Sequence, residues 1–233
     1  MDNLTEEQIK FMSACVIQAL THLREKKIIH RDILMKNIIM DNDRYFNLID
    51  FSFSINYKNK DNKNYYVICY EKARPPEIFS WSEYDYNSDY YRLGSIIHFL
   101  IFKLYPLDIK KSKKIKEYSV DFNKVNNYSK NCIDFMNKLI ISDYKKRIGY
   151  NDINELKNHS WFKEFNWKKL KEKKINSPFN FVSNIKKENC SKMNESLNLI
   201  SIFKNYSKED FYKTLIKNFD YINNNSIERL KNY

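Results

Sequence analysis

Glycine is almost absent from this sequence: Gly94 and Gly149 are the only two among 233 residues, where ordinary usage would place roughly sixteen. A phosphate-cradling loop built on several glycines is therefore excluded. Proline is sparse too, with four residues. Cys15, Cys69, Cys132 and Cys190 lie far apart with no C-x-x-C pair, so neither a zinc site nor a disulfide framework is indicated. Long apolar runs are missing as well. The longest, residues 95–104, contains His98 and Lys103; it is too short to span a bilayer and reads as a buried helix. Met1 leads into Asp2, Glu6 and Glu7, the wrong chemistry for the basic start of a secretory signal. A cytoplasmic protein with reduced thiols and no membrane span is expected.

What is present argues for a packed globule. Apolar residues make up 42% and aromatics 16%, enough for one good-sized domain, or a domain with a long tail. The net charge of +12 would ordinarily raise nucleic acid or an anionic membrane as partner. Lysine, asparagine, isoleucine and tyrosine are enriched along the whole chain, however, so the charge is discounted and nucleic acid is not the expected partner. The densest basic run, residues 110–116, reads as a solvated loop.

Leu4-Thr5-Glu6-Glu7-Gln8 has the form of a capping box. Behind it Ile9, Met12, Val16, Leu20 and Leu23 recur at three- and four-residue spacing, predicting an amphipathic helix to about residue 27. Ile28-Ile29 and Ile38-Ile39 look like short strands around the stretch His30 to Asn37. Residues 38–40 and 45–49 form an expected hairpin across Asp41-Asn42-Asp43, with Asn37 and Asp50 at its two ends on one side. Residues 56–66 are polar and without period, an expected loop ended by Pro75-Pro76. Helices are predicted at 88–104, at 129–142 under a Ser129 cap, and in short pieces at 152–159 and 207–218.

His30-Arg31-Asp32 alone is a weak signal. It gains weight from order: His30-Arg31-Asp32-Ile33 is completed by Asn37, Asp50-Phe51 follows the second strand, and Pro75-Pro76-Glu77 closes the segment. This set resembles the catalytic lobe of eukaryotic protein kinases. Asp89-Tyr90-Tyr91-Arg92-Leu93-Gly94 is similar to the D-x-W-S-x-G start of that family's central helix, and Arg147 to the arginine that pairs with the Glu of A-P-E, here Glu77. Arg147-Ile148-Gly149, His159-Ser160-Trp161-Phe162, Trp167 with Leu170, and Pro178-Phe179 resemble the closing pattern of the AGC group, most like its cyclic-nucleotide-dependent branch. Residues 218–221 match the N-F-D segment of its tail.

The resemblance implies a mainly α fold with a short β hairpin: the large C-terminal lobe of the protein-kinase-like α+β fold. Residues 1–165 would be that lobe and 166–233 an AGC-like tail. The small N-terminal lobe is expected to be missing from this chain, because the match starts at the helix before the catalytic loop. Mg-ATP is the implied cofactor and a protein hydroxyl the implied acceptor. Asp32 would be catalytic, orienting the substrate hydroxyl or accepting its proton; Asn37 and Asp50 would bind the nucleotide through magnesium, a hard cation suited to oxygen ligands. Asp89 would tie down the loop backbone, His30 and Phe51 would pack in the hydrophobic spine, and Arg31 would reach towards a phosphorylated activation loop.

Departures are as informative. The catalytic-loop lysine two residues after Asp32 is Leu34, and losing such a stabiliser costs about 10² to 10³ in rate by analogy with oxyanion-hole donors. The D-F-G glycine is Ser52, and the G-T pair before P-E aligns with Cys69-Tyr70. No Ser or Thr lies between Ser54 and Pro75, although Tyr66 sits near the usual phosphosite. Lys36 and Phe99 stand where this branch reads basic substrates with carboxylates. On sequence alone these losses favour a pseudokinase, impaired or inactive, acting as a docking module for a protein partner. The alternative is the C-terminal part of an active, divergent AGC-type kinase whose small lobe is encoded upstream.

Overall fold

The computed structural model describes residues 4–57, 73–79, 84–106, 127–179 and 197–198. Helix α1, Glu6–Glu25, begins as predicted: the Thr5 hydroxyl accepts from the Gln8 amide at 3.2 Å while the Gln8 side chain accepts from the Thr5 amide at 3.0 Å. Its burial exceeds one stripe, since Phe11, Ala14, Cys15 and Ile17 are enclosed together with Ile9, Met12, Val16, Leu20 and Leu23. A helix buried nearly all round is a central element, and α1 contacts strands and helices on several sides. It stops at Glu25, two residues before the expected end, because Lys27 turns into the left-handed region at φ 59.

Strand β1 (Ile28–Ile29) follows directly. The hairpin pairs β2 (Ile38–Met40) with β3 (Phe46–Leu48) in antiparallel register, Ile38 opposite Leu48 and Met40 opposite Phe46. Asp41 closes the turn, its carbonyl accepting from Arg44 and its carboxylate from the Tyr45 amide. Strand β4 (Ile55–Asn56) pairs with β1, so Asn56, the first residue of the expected loop, ends a short strand. Two residues are too few to show a period. The backbone of β5 (Leu197–Asn198) lies along the free edge of β2.

Helices α2 (Pro76–Phe79), α3 (Tyr86–Phe102), α4 (Lys130–Leu139), α5 (Asn154–Lys157) and α6 (Trp167–Lys171) follow, with 3-10 turns at Met35–Asn37, Tyr144–Lys146 and Ser160–Phe162. Helix α3 starts two residues earlier than predicted, capped by Asp85, and ends at Lys103 in the left-handed conformation. Helix α4 is shorter than the predicted 129–142; the Ser129 cap holds, but the Ile141 carbonyl is taken by the Arg147 guanidinium. The predicted helix at 207–218, the run 110–116, Tyr66, Cys69-Tyr70 and the match at 218–221 lie outside the described residues.

Both glycines stand where a side chain is excluded. A Cβ on Gly94 would meet the Leu139 Cβ at 2.6 Å and the Ile140 Cγ2 at 2.8 Å, so glycine sets the close approach of α3 and α4. Gly149 has φ 89 and passes against the Tyr90 ring. The start of α1 is fastened to residues far along the chain: the Glu6 carboxylate accepts from the Ser129 amide and hydroxyl, both at 2.6 Å, and from the Trp161 indole at 2.8 Å. Trp161, Phe162, Phe165 and Trp167 form an aromatic cluster on Phe135. Cys15 and Cys132 are free and buried; burial pushes the Cys15 thiol up to about 12, which leaves it unreactive.

Candidate active site

The loop between β1 and β2 is held from below by α3. Asp89 accepts from the backbone amides of His30 at 2.8 Å and Arg31 at 2.9 Å, and the Tyr84 hydroxyl approaches the same carboxylate. Burial pushes this carboxyl up, while the His30 side, the amides and Arg92 act in the opposite direction. The anchor matters because Arg31 sits at φ 67, a conformation costly for a non-glycine residue. Arg31 donates from Nε to the Phe53 carbonyl at 2.6 Å, and Ser54 donates to the His30 carbonyl. His30 is buried against the Phe51 ring at 4.7 Å between centroids, yet Phe51 stays 47% exposed, so the expected packing pair is only half enclosed.

Asp32 is 3% exposed. Asn37 donates from Nδ2 both to its carboxylate Oδ2, at 2.7 Å, and to its carbonyl, at 2.9 Å. Lys36 Nζ lies 3.8 Å from the same Oδ2, and Arg92 Nη1 lies 3.4 Å from Oδ1. Arg92 was only a letter in the helix-start motif; the packing of α3 under the loop brings its wholly buried guanidinium to Asp32. One signal was available: an arginine among apolar helix residues must find an anion if buried.

Asn37 and Asp50 come together across the open end of the hairpin, where the Ile49 amide donates to the Asn37 carbonyl at 2.9 Å. Asp50 is exposed, with φ 64, and its Oδ1 accepts from the Ser52 hydroxyl at 2.6 Å and amide at 3.3 Å. Ser52 therefore replaces a flexible glycine with a side chain that orients the carboxylate. Among the described residues no group of three or more His, Cys, Asp or Glu side chains could enclose a metal. With Asn37 Nδ2 committed to Asp32, its Oδ1 is directed elsewhere, and together with the Asp50 carboxylate it provides two hard oxygen donors. That set fits magnesium, which keeps water and phosphate ligands beside one or two protein oxygens.

The Ser52 hydroxyl, then its amide, hold the Asp50 carboxyl below the usual carboxylate range. A depressed carboxyl stays ionised to lower pH. Ser52→Gly removes the hydroxyl donor, so the Asp50 carboxyl is expected to protonate at higher pH than in the parent chain. Carboxyl titrations of the two proteins by NMR would check this; a midpoint unmoved, or moved to lower pH, would contradict the role given to Ser52.

Leu34 is half-buried and Phe99 stacks on Tyr105 at 4.7 Å, so neither brings charge to the site. Glu77 and Arg147 meet as expected, through two hydrogen bonds of 2.8 and 2.9 Å. Among the described residues no helix is long and apolar enough to cross a membrane.

Comparison with known proteins gives this geometry a setting. Residues 1–162 match the family described as the protein kinase domain. The chain is 27% identical over 179 residues to a probable serine/threonine-protein kinase of Dictyostelium discoideum, an alignment covering 75% of this chain and 39% of that protein. It is 28% identical over 181 residues to the serine/threonine-protein kinase sgk-1 of Caenorhabditis elegans, covering 76% and 39%. With human rhodopsin kinase GRK1 it shares 26% identity over 182 residues, covering 75% and 32%. The chain thus spans less than two fifths of the length of these relatives.

Proposed function

Because this chain belongs to the protein kinase family, we propose that it carries the catalytic-loop and metal-holding part of a serine/threonine kinase site that transfers phosphate from Mg-ATP to a protein hydroxyl at reduced rate. The observation that carries this reading is the order retained around Asp32: a carboxylate fixed by Asn37 and Arg92 on a loop pinned by Asp89. Phosphoryl transfer needs positioning and charge compensation more than covalent chemistry. The substrate oxygen bonds to the γ-phosphorus, the bond from that phosphorus to the β,γ-bridging oxygen breaks, and ADP departs with the electron pair. Asp32 orients the hydroxyl and accepts its proton. Asn37 Oδ1 and Asp50 would hold magnesium, which offsets charge on the nucleotide phosphates.

The finer reading places the protein in the AGC group, with residues 1–165 as the kinase unit and 166–233 as its tail; the closing pattern from Arg147 to Phe179 supports it. A second reading, a docking pseudokinase, draws on Leu34 and on the exposed Ile49 and Phe51 at the site's mouth, an apolar surface on which a covering lobe or partner protein would sit. The two readings part in one assay. The full chain is incubated with γ-labelled Mg-ATP and a mixed Ser/Thr peptide pool, beside Asp32→Asn and Asp50→Ala. Transfer lost in both variants supports the kinase reading. Transfer unchanged by Asp32→Asn, or no Mg-ATP binding by the parent chain, overturns it.

A further inference from the structure

We propose that Arg92 is a positioning residue of the transfer site: its buried guanidinium holds the inner oxygen of Asp32 and so turns the outer one, Oδ2, towards the substrate hydroxyl. This inference rests on the kinase reading above and adds a residue that the catalytic loop does not carry.

Arg92 falls at the serine of the D-x-W-S-x-G pattern that Asp89 and Gly94 bound. A long cation has taken the place of a small hydroxyl on a buried face of α3, where its charge must meet an anion. Two carboxylates lie near it. Asp89, three residues earlier and so on the same side of the helix, spends its oxygens on the His30 and Arg31 amides at 2.8 and 2.9 Å. Burial pushes that carboxyl up, and Arg92 is among the charges that oppose the rise. Asp32 takes Arg92 directly: Nη1 lies 3.4 Å from Oδ1, with the arginine side chain 0% and the aspartate side chain 5% exposed. One turn of α3 therefore mounts the loop at two points, its backbone through Asp89 and its reactive side chain through Arg92.

The second mount decides which oxygen is offered. Oδ1 faces α3, closed to water. Oδ2 lies on the other side, where Asn37 Nδ2 donates at 2.7 Å and the half-exposed Lys36 approaches to 3.8 Å. A carboxylate oxygen carries two lone-pair sites, so Oδ2 can hold Asn37 and still take a hydroxyl hydrogen. With its two oxygens held from different elements, the carboxylate is kept from rotating to present Oδ1 instead. At 3.4 Å the inner contact is longer than an ordinary hydrogen bond, so charge does most of the holding. A guanidinium that served only the packing of α3 would behave differently: its removal would lower the folded fraction and leave each folded molecule at its full rate.

The test compares the full-length chain with Arg92→Met, Arg92→Lys, Asp32→Asn and the double variant Asp32→Asn with Arg92→Met. Peptide phosphorylation is expressed per nucleotide-binding site, the sites being counted by calorimetry with Mg-ATP, and melting is followed in parallel. Misplacing a reacting group by about 1 Å costs up to about 10²-fold, so Arg92→Met is expected to lower kcat per site by about 10- to 100-fold, with peptide KM and Mg-ATP affinity within about 2-fold of the parent. Arg92→Lys, which keeps the charge, should lie between the two. Asp32→Asn leaves the guanidinium facing a neutral amide and should lower the melting midpoint, and adding Arg92→Met should recover part of that fall. An unaltered kcat per site in Arg92→Met, a loss shared by KM or nucleotide affinity, or no recovery in the double variant overturns the inference and leaves the kinase reading intact; the melting comparison decides even where Arg92→Met alone does not fold. No transfer by the parent chain overturns both.

Discussion

Arg147→Ala is expected to remove about 3 to 5 kcal/mol of folding stability, the loss typical of breaking a buried ion pair from one side. The Arg147 guanidinium grips both Glu77 oxygens and also donates to the carbonyls of Asn87, at 2.6 Å, and Ile141, at 2.9 Å. Tyr91 lies under it at 4.9 Å, and the Ser88 hydroxyl donates to the same carboxylate. Truncation would leave Glu77 charged in a site closed to water, with two carbonyls deprived of their donor. At about 2 to 4 °C per kcal/mol for a chain of this size, the midpoint should fall by roughly 6 to 20 °C. Arg147→Met with Glu77→Leu removes both charges and should cost less than Arg147→Ala. Denaturant unfolding of the parent, Arg147→Ala and the double variant checks this; a loss below about 1 kcal/mol for Arg147→Ala would contradict it.

Asp89→Ala is expected to be as severe and to act on the site. Its carboxylate is the acceptor for two buried amides, and each one orphaned costs about 1 to 3 kcal/mol. Arg31 would also lose the restraint that keeps it in the left-handed region. The global loss is therefore on the order of 2 to 6 kcal/mol, with fast hydrogen exchange at His30 and Arg31. Asp89→Asn should recover only part of this, because one carbonyl oxygen can accept from one amide while the NH2 group faces the other. Exchange at these two amides unaltered in Asp89→Ala would show that the loop holds its shape without α3.

Much of this was legible beforehand for physical reasons that act locally. The Thr5–Gln8 box, the Ser129 cap and the Asp41 turn satisfy backbone groups with side chains a few residues away, so their residue types mark them. The pairing of Glu77 with Arg147, 70 residues apart, was accessible only through the kinase resemblance. Helix ends were misplaced where a left-handed residue, Lys27 or Lys103, stopped a pattern that periodicity alone would extend. Strand β4 escaped notice because two residues show no alternation.

The candidate site divides along the same line. Asp32, Asn37 and Asp50 were named through the kinase resemblance, and the short loop that carries the first two sets the Asn37 amide on the Asp32 carboxylate. By itself the sequence determined which charged groups exist near the loop, that Leu34 breaks the expected set, and that no glycine-rich loop belongs to this chain. Only the tertiary structure decided their partners. It put Arg92 of α3 under Asp32, turned Lys36 towards the same carboxylate and bound Ser52 to Asp50. Buried charges and exposed amines look alike in a string of residues, and the difference arises when packing removes water from one and leaves it on the other.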